Sequence, residues 1–191
     1  MKNESRKNYS IKTGSIAFLL AIFVPSVVVT LWSAISTALG ISQLVYYYIA
    51  LALTQLSLIG IFIICNKLGK NNIKESSKIK FNLNISQIVL IATCGLIALF
   101  SFSPLVNMLE GVLQVAGYPI GQSFNLQLTN PIIFIIAIIV VGILPAICEE
   151  LIFRGIILNS FNKYNKVVAV VLSSLLFMIM HMSIEQTIYQ F

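Results

Sequence analysis

The chain has 191 residues, of which 58% are hydrophobic and only 9% are charged. An ordinary soluble domain carries roughly 25% charged residues, so this composition excludes a typical soluble enzyme, a disordered chain and a collagen-like chain. The sequence contains no Asp, and its single His is His181, which excludes any mechanism that needs an Asp or two His residues within this chain.

Stretches without charge divide the chain into five apolar segments. A helix needs ~20 apolar residues to cross the ~30 Å hydrocarbon core of a bilayer. Because lipid offers no hydrogen-bond partner to an open strand edge, and these segments do not alternate in polarity, the sequence predicts an all-α polytopic transmembrane bundle. The predicted spans are Ser15–Leu39, Leu44–Cys65, Ile85–Val106, Pro131–Leu158 and Val167–Ile184.

Lys and Arg residues occur in alternate connections and predict the orientation. They lie in the N-terminal tail, in the second connection and in the fourth, whereas the first and third connections contain none. Basic connections stay in the cytoplasm, and the net charge of +6 therefore reports topology and attraction to lipid rather than nucleic-acid binding. The predicted organisation is a cytoplasmic tail (1–14), a transmembrane hairpin (15–66), a basic cytoplasmic loop (67–84) and three further spans (85–191).

The third connection contains an additional helical pattern. Met108, Leu109, Val112 and Leu113 are spaced at helical intervals between Asn107 and Gly117. This spacing predicts an interfacial helix on the outer leaflet, and a loop that touches lipid is the alternative.

Ionisable residues occur inside the last two spans, where the membrane disfavours them. Glu149, Glu150 and Arg154 lie in the fourth span and His181 lies in the fifth. Each ionisable side chain at the centre of a span costs about 2.5–3.5 kcal/mol on insertion scales. Such residues persist when they pair or face a protein interior, so they indicate a functional site within the membrane.

Helix geometry gives the two adjacent carboxylates different surroundings. Glu150 and Arg154 are four residues apart, so they share one face and can form an ion pair. Glu149 is rotated by about 100° from Glu150 and faces elsewhere. At 1.5 Å per residue, Glu149 lies about 15 Å and His181 about 22 Å from the inner ends of two spans that a short connection makes neighbours. Pro145 removes a backbone donor and predicts a kink just before Glu149.

A buried Glu beside a His can act as a general base that activates water for the hydrolysis of an amide. The residues concerned form Glu149-Glu150-x-x-x-Arg154 followed by Phe177-x-x-x-His181, which resembles the first two motifs of the CAAX prenyl protease-like (CPBP) family of membrane-embedded proteases. The resemblance implies an intramembrane endopeptidase in which Glu149 and His181 activate the water. It implies that Glu150 and Arg154 order the site and that Phe177 packs around it.

The resemblance covers residues 131–191 and carries further expectations. No cofactor is required by the sequence, although some family members are described as metalloproteases, in which case Glu149 and His181 would hold a divalent metal. Membrane lipid and a membrane-associated peptide or protein substrate are the expected partners. The expected location is a bacterial-type plasma membrane, with the N-terminus in the cytoplasm.

The sequence departs from the family at its third motif, His-x-x-x-Asn or His-x-x-x-Asp. No second His follows His181 before Phe191, so we expect a C-terminally truncated chain that is feeble or inactive as it stands. Two alternatives therefore stay open beside the protease. One is a non-catalytic membrane scaffold or bacteriocin-immunity-type relative, and the other is a small proton-coupled transporter subunit.

Overall fold

A computed structural model describes residues 9–69, 71, 83–118, 128, 130–162 and 165–181. The elements of this part of the chain are all helices, which confirms the predicted all-α class. Four helices are long and apolar enough to cross a membrane, and the fifth is an apolar helix of 16 residues. They are α1 (Ile11–Ala38), α2 (Gln43–Leu68), α3 (Ile85–Val115), α4 (Pro131–Phe161) and α5 (Lys166–His181).

The described residues form two compact units. The first contains α1, α2, α4 and the part of α5 up to Ser173, and the second contains α3 and residues 174–181. In the first unit α4 packs against both α1 and α2. The largest fully buried side chains among the described residues lie on α2 and α4: Leu58, Asn66, Cys148, Ile152, Ile156, Ile157 and Ser160.

Small residues allow α1 to approach the end of α4 closely. Gly14, Ala17, Ala21 and Pro25 are buried along α1 at spacings of three and four residues. A Cβ atom placed on Gly14 would overlap the Ser160 hydroxyl and lie 2.8 Å from the Ser160 Cβ. The absence of a side chain at Gly14 is therefore what permits this helix crossing.

A buried polar contact ties the start of α1 to the end of α2. The Tyr9 hydroxyl donates to Asn66 Oδ1 at 2.6 Å, and Asn66 Nδ2 donates to the Phe62 carbonyl at 2.8 Å. Asn66 is fully buried. Both ends of its amide are thus satisfied, as burial of a polar group requires.

The third helix is longer than the sequence predicts. A span ending at Val106 and a separate interfacial helix over 107–117 were expected, whereas α3 runs without interruption from Ile85 to Val115. The apolar residues beyond Val106 continue the same helical register, and Pro104 lies within α3 without ending it. The helix ends just before Gly117, whose φ of 78° is the left-handed conformation that glycine favours.

Candidate active site

The motif-bearing helix α4 changes its hydrogen-bond pattern on both sides of the two glutamates. Residues Ile138–Ile143 and Phe153–Ile157 form π-helical segments, and the α-helical segment between them is Leu144–Ile152. Leu144 N, for example, donates to the carbonyl of Ile139, five residues back. Pro145 has no N–H and its ring clashes with the carbonyl four residues earlier, which explains a disrupted pattern at this point. π-Helical insertions of this kind are frequent at functional sites.

Glu149 and Glu150 have different surroundings, as their rotation on the helix predicts. Glu149 is half-buried and lies next to the fully buried Cys148, whereas Glu150 is exposed. The two carboxylates therefore do not share one environment, although they are adjacent in sequence.

The carboxylate of Glu149 is contacted from α2. Gln55 Nε2 donates to Glu149 Oε1 at 3.4 Å, a long hydrogen bond between residues 94 positions apart in the chain. Only 6% of the Gln55 surface is exposed. A buried amide on a neighbouring helix thus restricts the orientation of the Glu149 side chain.

The predicted ion pair between Glu150 and Arg154 is present. Arg154 Nε lies 3.1 Å from Glu150 Oε2, across one helical turn. The Arg154 side chain is 73% exposed and the Glu150 side chain is 50% exposed. Pairing keeps each charge beside an opposite charge on the exposed side of α4.

His181 is held by the turn of α5 that precedes it. Its Nδ1 lies 3.0 Å from the Phe177 carbonyl oxygen, and its ring packs edge-on against the Phe177 ring with 4.8 Å between ring centres. A carbonyl oxygen only accepts, so Nδ1 carries the proton of this hydrogen bond. In the neutral imidazole Nε2 then carries the lone pair and is the atom available for a proton or a water molecule. Phe177 thus packs against His181.

The first half of α5 packs against α4 within the first unit. Ser173 Oγ donates to the Phe153 carbonyl at 3.5 Å, and Ala169 is fully buried one turn earlier. Phe153 lies one turn after Glu149 on α4. Glu149 belongs to the first unit and His181 to the second, so their proximity stays a prediction.

A metal site is not formed by the described residues. Catalytic zinc sites in proteins use three protein ligands. In the described ranges, no group of three His, Cys or Glu side chains could hold a metal ion. Glu149 and His181, the two ligands expected if a metal binds, do not make up such a set.

Comparison with known families adds to this geometry. Residues 131–191 match the family model described as type II CAAX prenyl endopeptidase Rce1-like. This region is therefore similar to that family. The match covers less than half of the chain, includes α4 and α5, and contains all five motif residues, which confirms the predicted family resemblance. No curated protein and no solved structure matched the chain in the corresponding comparisons.

Gln55, which contacts Glu149 from outside the matched region, is not among the residues that the sequence predicts for the site. Gln55 lies in the long charge-free stretch of the first two spans, where a search for charged residues finds nothing. It is the only amide side chain between Leu44 and Cys65. A search for uncharged polar residues within apolar spans would have identified it.

Proposed function

We propose that the protein is a membrane-embedded endopeptidase of the CAAX prenyl type, in which Glu149 acts as the general base for a hydrolytic water. The observation that carries this proposal is the Rce1-like match over the segment containing Glu149 and His181. The half-buried position of Glu149 and its contact with Gln55 support the role. A general base needs a carboxylate that is held in place within hydrogen-bond reach of the water from which it removes the proton.

The proposed reaction uses the two side chains in sequence. Glu149 removes a proton from water while the water oxygen attacks the carbonyl carbon of the scissile peptide bond. His181, whose Nε2 is left available by the bond from Nδ1 to Phe177, helps to hold the water. The tetrahedral intermediate then collapses as the C–N bond breaks, and Glu149 returns the proton to the leaving nitrogen. The products are a carboxylate and an amine.

The proposed substrate is a membrane-associated peptide or protein. The family description points to a prenylated C-terminal Cys-a-a-X sequence, whose lipid chain would place the scissile bond near the membrane. The proposed location is a bacterial-type plasma membrane, with the N-terminus of the protein in the cytoplasm.

A divalent metal is not required by this scheme. Glu149 and His181 are the residues that would hold a divalent metal if one binds, and no step of the scheme is assigned to it. Glu150 and Arg154 are proposed to order the site through their ion pair rather than to touch the water.

Substitution of the two central residues tests the proposal. In the complete natural protein that contains this sequence, purified in detergent, Glu149→Gln and His181→Gln should each abolish cleavage of a quenched fluorescent farnesylated Cys-a-a-X peptide. Glu150→Gln is the matched control, since it changes the adjacent carboxylate, and it should only weaken cleavage. Undiminished cleavage by Glu149→Gln would overturn the proposal.

A further inference from the structure

Gln55 differs from the other polar residues on its stretch of α2. Thr54 Oγ1 donates to the Ala50 carbonyl at 2.9 Å, and Ser57 Oγ donates to the Thr54 carbonyl at 2.6 Å. Both hydroxyls are thus satisfied by their own helix, as is usual for Ser and Thr in apolar helices. The Gln55 side chain instead reaches α4 and contacts Glu149. Its polar group therefore serves a contact between helices.

The chemistry of the two partners fixes which end of the amide faces the carboxylate. An ionised carboxylate only accepts hydrogen bonds, so the NH₂ group of Gln55 must point at Glu149. Gln55 Oε1 takes no part in that bond, and it is buried without a hydrogen-bond partner among the described residues. A buried acceptor without a donor costs about 1–3 kcal/mol. A donor near Gln55 Oε1 would therefore be bound favourably.

We propose that Gln55 is a positioning residue for the hydrolytic water. Its Nε2 orients the Glu149 carboxylate, and its Oε1 accepts a hydrogen bond from the water that Glu149 deprotonates. This inference rests on the proposed function of Glu149. A water molecule has two hydrogens, and the arrangement uses one for each acceptor: one is transferred to Glu149, and the other stays on the attacking oxygen, bonded to Gln55. A lone pair of that oxygen is then directed at the scissile carbonyl carbon.

The position of Gln55 along its helix agrees with this role. At 1.5 Å per residue, Gln55 lies about 18 Å from Lys67 at the basic end of α2. Glu149 lies about 15 Å from Asn159 near the end of α4. Both side chains therefore lie at similar depth, well inside the hydrocarbon core, where bulk water does not compete for the amide.

Kinetic measurements on two variants of Gln55 test the proposal in the complete natural protein. Gln55→Met keeps the length of the side chain without donor or acceptor, and Gln55→Asn keeps the amide but withdraws it from Glu149. In each folded variant, kcat for the farnesylated peptide should fall on the order of 100-fold, because misplacement of reacting groups by about 1 Å has this effect. KM should stay unchanged, since Gln55 is not assigned to bind the peptide.

Controls separate positioning from stability. Tyr48→Phe removes a buried hydroxyl that also has no partner in the described part of the chain, and it should leave kcat unchanged and not lower the Tm. Gln55→Met should not lower the Tm, because it also removes an unsatisfied acceptor. A folded variant of Gln55 with unchanged kcat overturns the inference, as does a fall in activity that follows a rise in KM alone. Loss of cleavage in Glu149→Gln beside normal kcat in Gln55→Met would reject Gln55 while keeping the proposed function.

Discussion

Glu150 and Arg154 stabilise each other as an ion pair on the exposed side of α4. Removing one partner leaves the other ion unpaired in or near the membrane, which is unfavourable. Arg154 has a long side chain that can reach toward the headgroups, whereas Glu150 cannot reach as far. We therefore expect Arg154→Gln to lower the Tm in detergent–lipid micelles more than Glu150→Gln does. The double variant should lose about 0.5–1 kcal/mol less unfolding free energy than the sum of the losses in the two single variants. Strictly additive losses would contradict an energetic coupling between these residues.

Local geometry made part of the site predictable at the scale of residues. The ion pair follows from a spacing of four on a helix, and the different surroundings of Glu149 and Glu150 follow from a rotation of about 100° per residue. The contact of Gln55 with Glu149 joins positions 94 residues apart. Its formation depends on how α2 packs on α4, and no periodicity within either segment encodes that packing.

The crossing of α1 over the end of α4 gives a prediction at the scale of elements. In Gly14→Ala the new Cβ would overlap Ser160 Oγ and lie 2.8 Å from Ser160 Cβ, so the helices must separate. Overpacking of this kind costs about 1–3 kcal/mol, and the Tm in detergent should fall by several degrees.

Two variants determine whether the fall arises from this contact. Gly60→Ala on α2 has open space around its Cβ and should not lower the Tm, because alanine is also the better helix former. Ser160→Gly in the Gly14→Ala background removes both overlapping atoms and should restore much of the lost stability. A low Tm that persists in this double variant would mean that the crossing is not the cause.

Helix boundaries were less predictable than helix existence. The apolar stretches indicate where helices lie. They do not indicate that α3 continues to Val115, nine residues beyond the predicted end of the span at Val106. The π-helical segments of α4 were not predictable in detail either. Pro145 indicates that the hydrogen-bond pattern is disturbed nearby, yet a kink and a π-helical insertion both accommodate the missing N–H and the proline ring.

The all-α fold class is encoded more strongly than any contact between the helices. Inside lipid every backbone donor and acceptor needs a partner within the protein, and apolar segments of this length satisfy that need as helices. Hydropathy therefore predicts the class of fold without reference to packing. It does not state which helices are neighbours, and the burial of Leu58 and Ile156 in the first unit results from packing that the apolar pattern alone leaves open.

The orientation of the whole protein is best tested through α3. With 31 residues, α3 is about 46 Å long, which exceeds the ~30 Å hydrocarbon core, so its ends extend beyond the lipid. The distribution of Lys and Arg predicts that Leu83, just before α3, faces the cytoplasm and that Gln114, near its end, faces outward.

Labelling of single cysteines in intact cells measures this orientation. With Cys65, Cys94 and Cys148 replaced by Ser, Gln114→Cys should react with a membrane-impermeant maleimide, whereas Leu83→Cys should react only after the membrane is permeabilised. A variant that retains only Cys94, about a third of the way along α3, is the control and should resist the reagent in both states. If Leu83→Cys reacts in intact cells and Gln114→Cys does not, the N-terminus lies outside and the hydrolytic site is inverted relative to the cytoplasm. A peptide delivered to the cytoplasmic face would then have to reach Glu149 from the opposite end of α4.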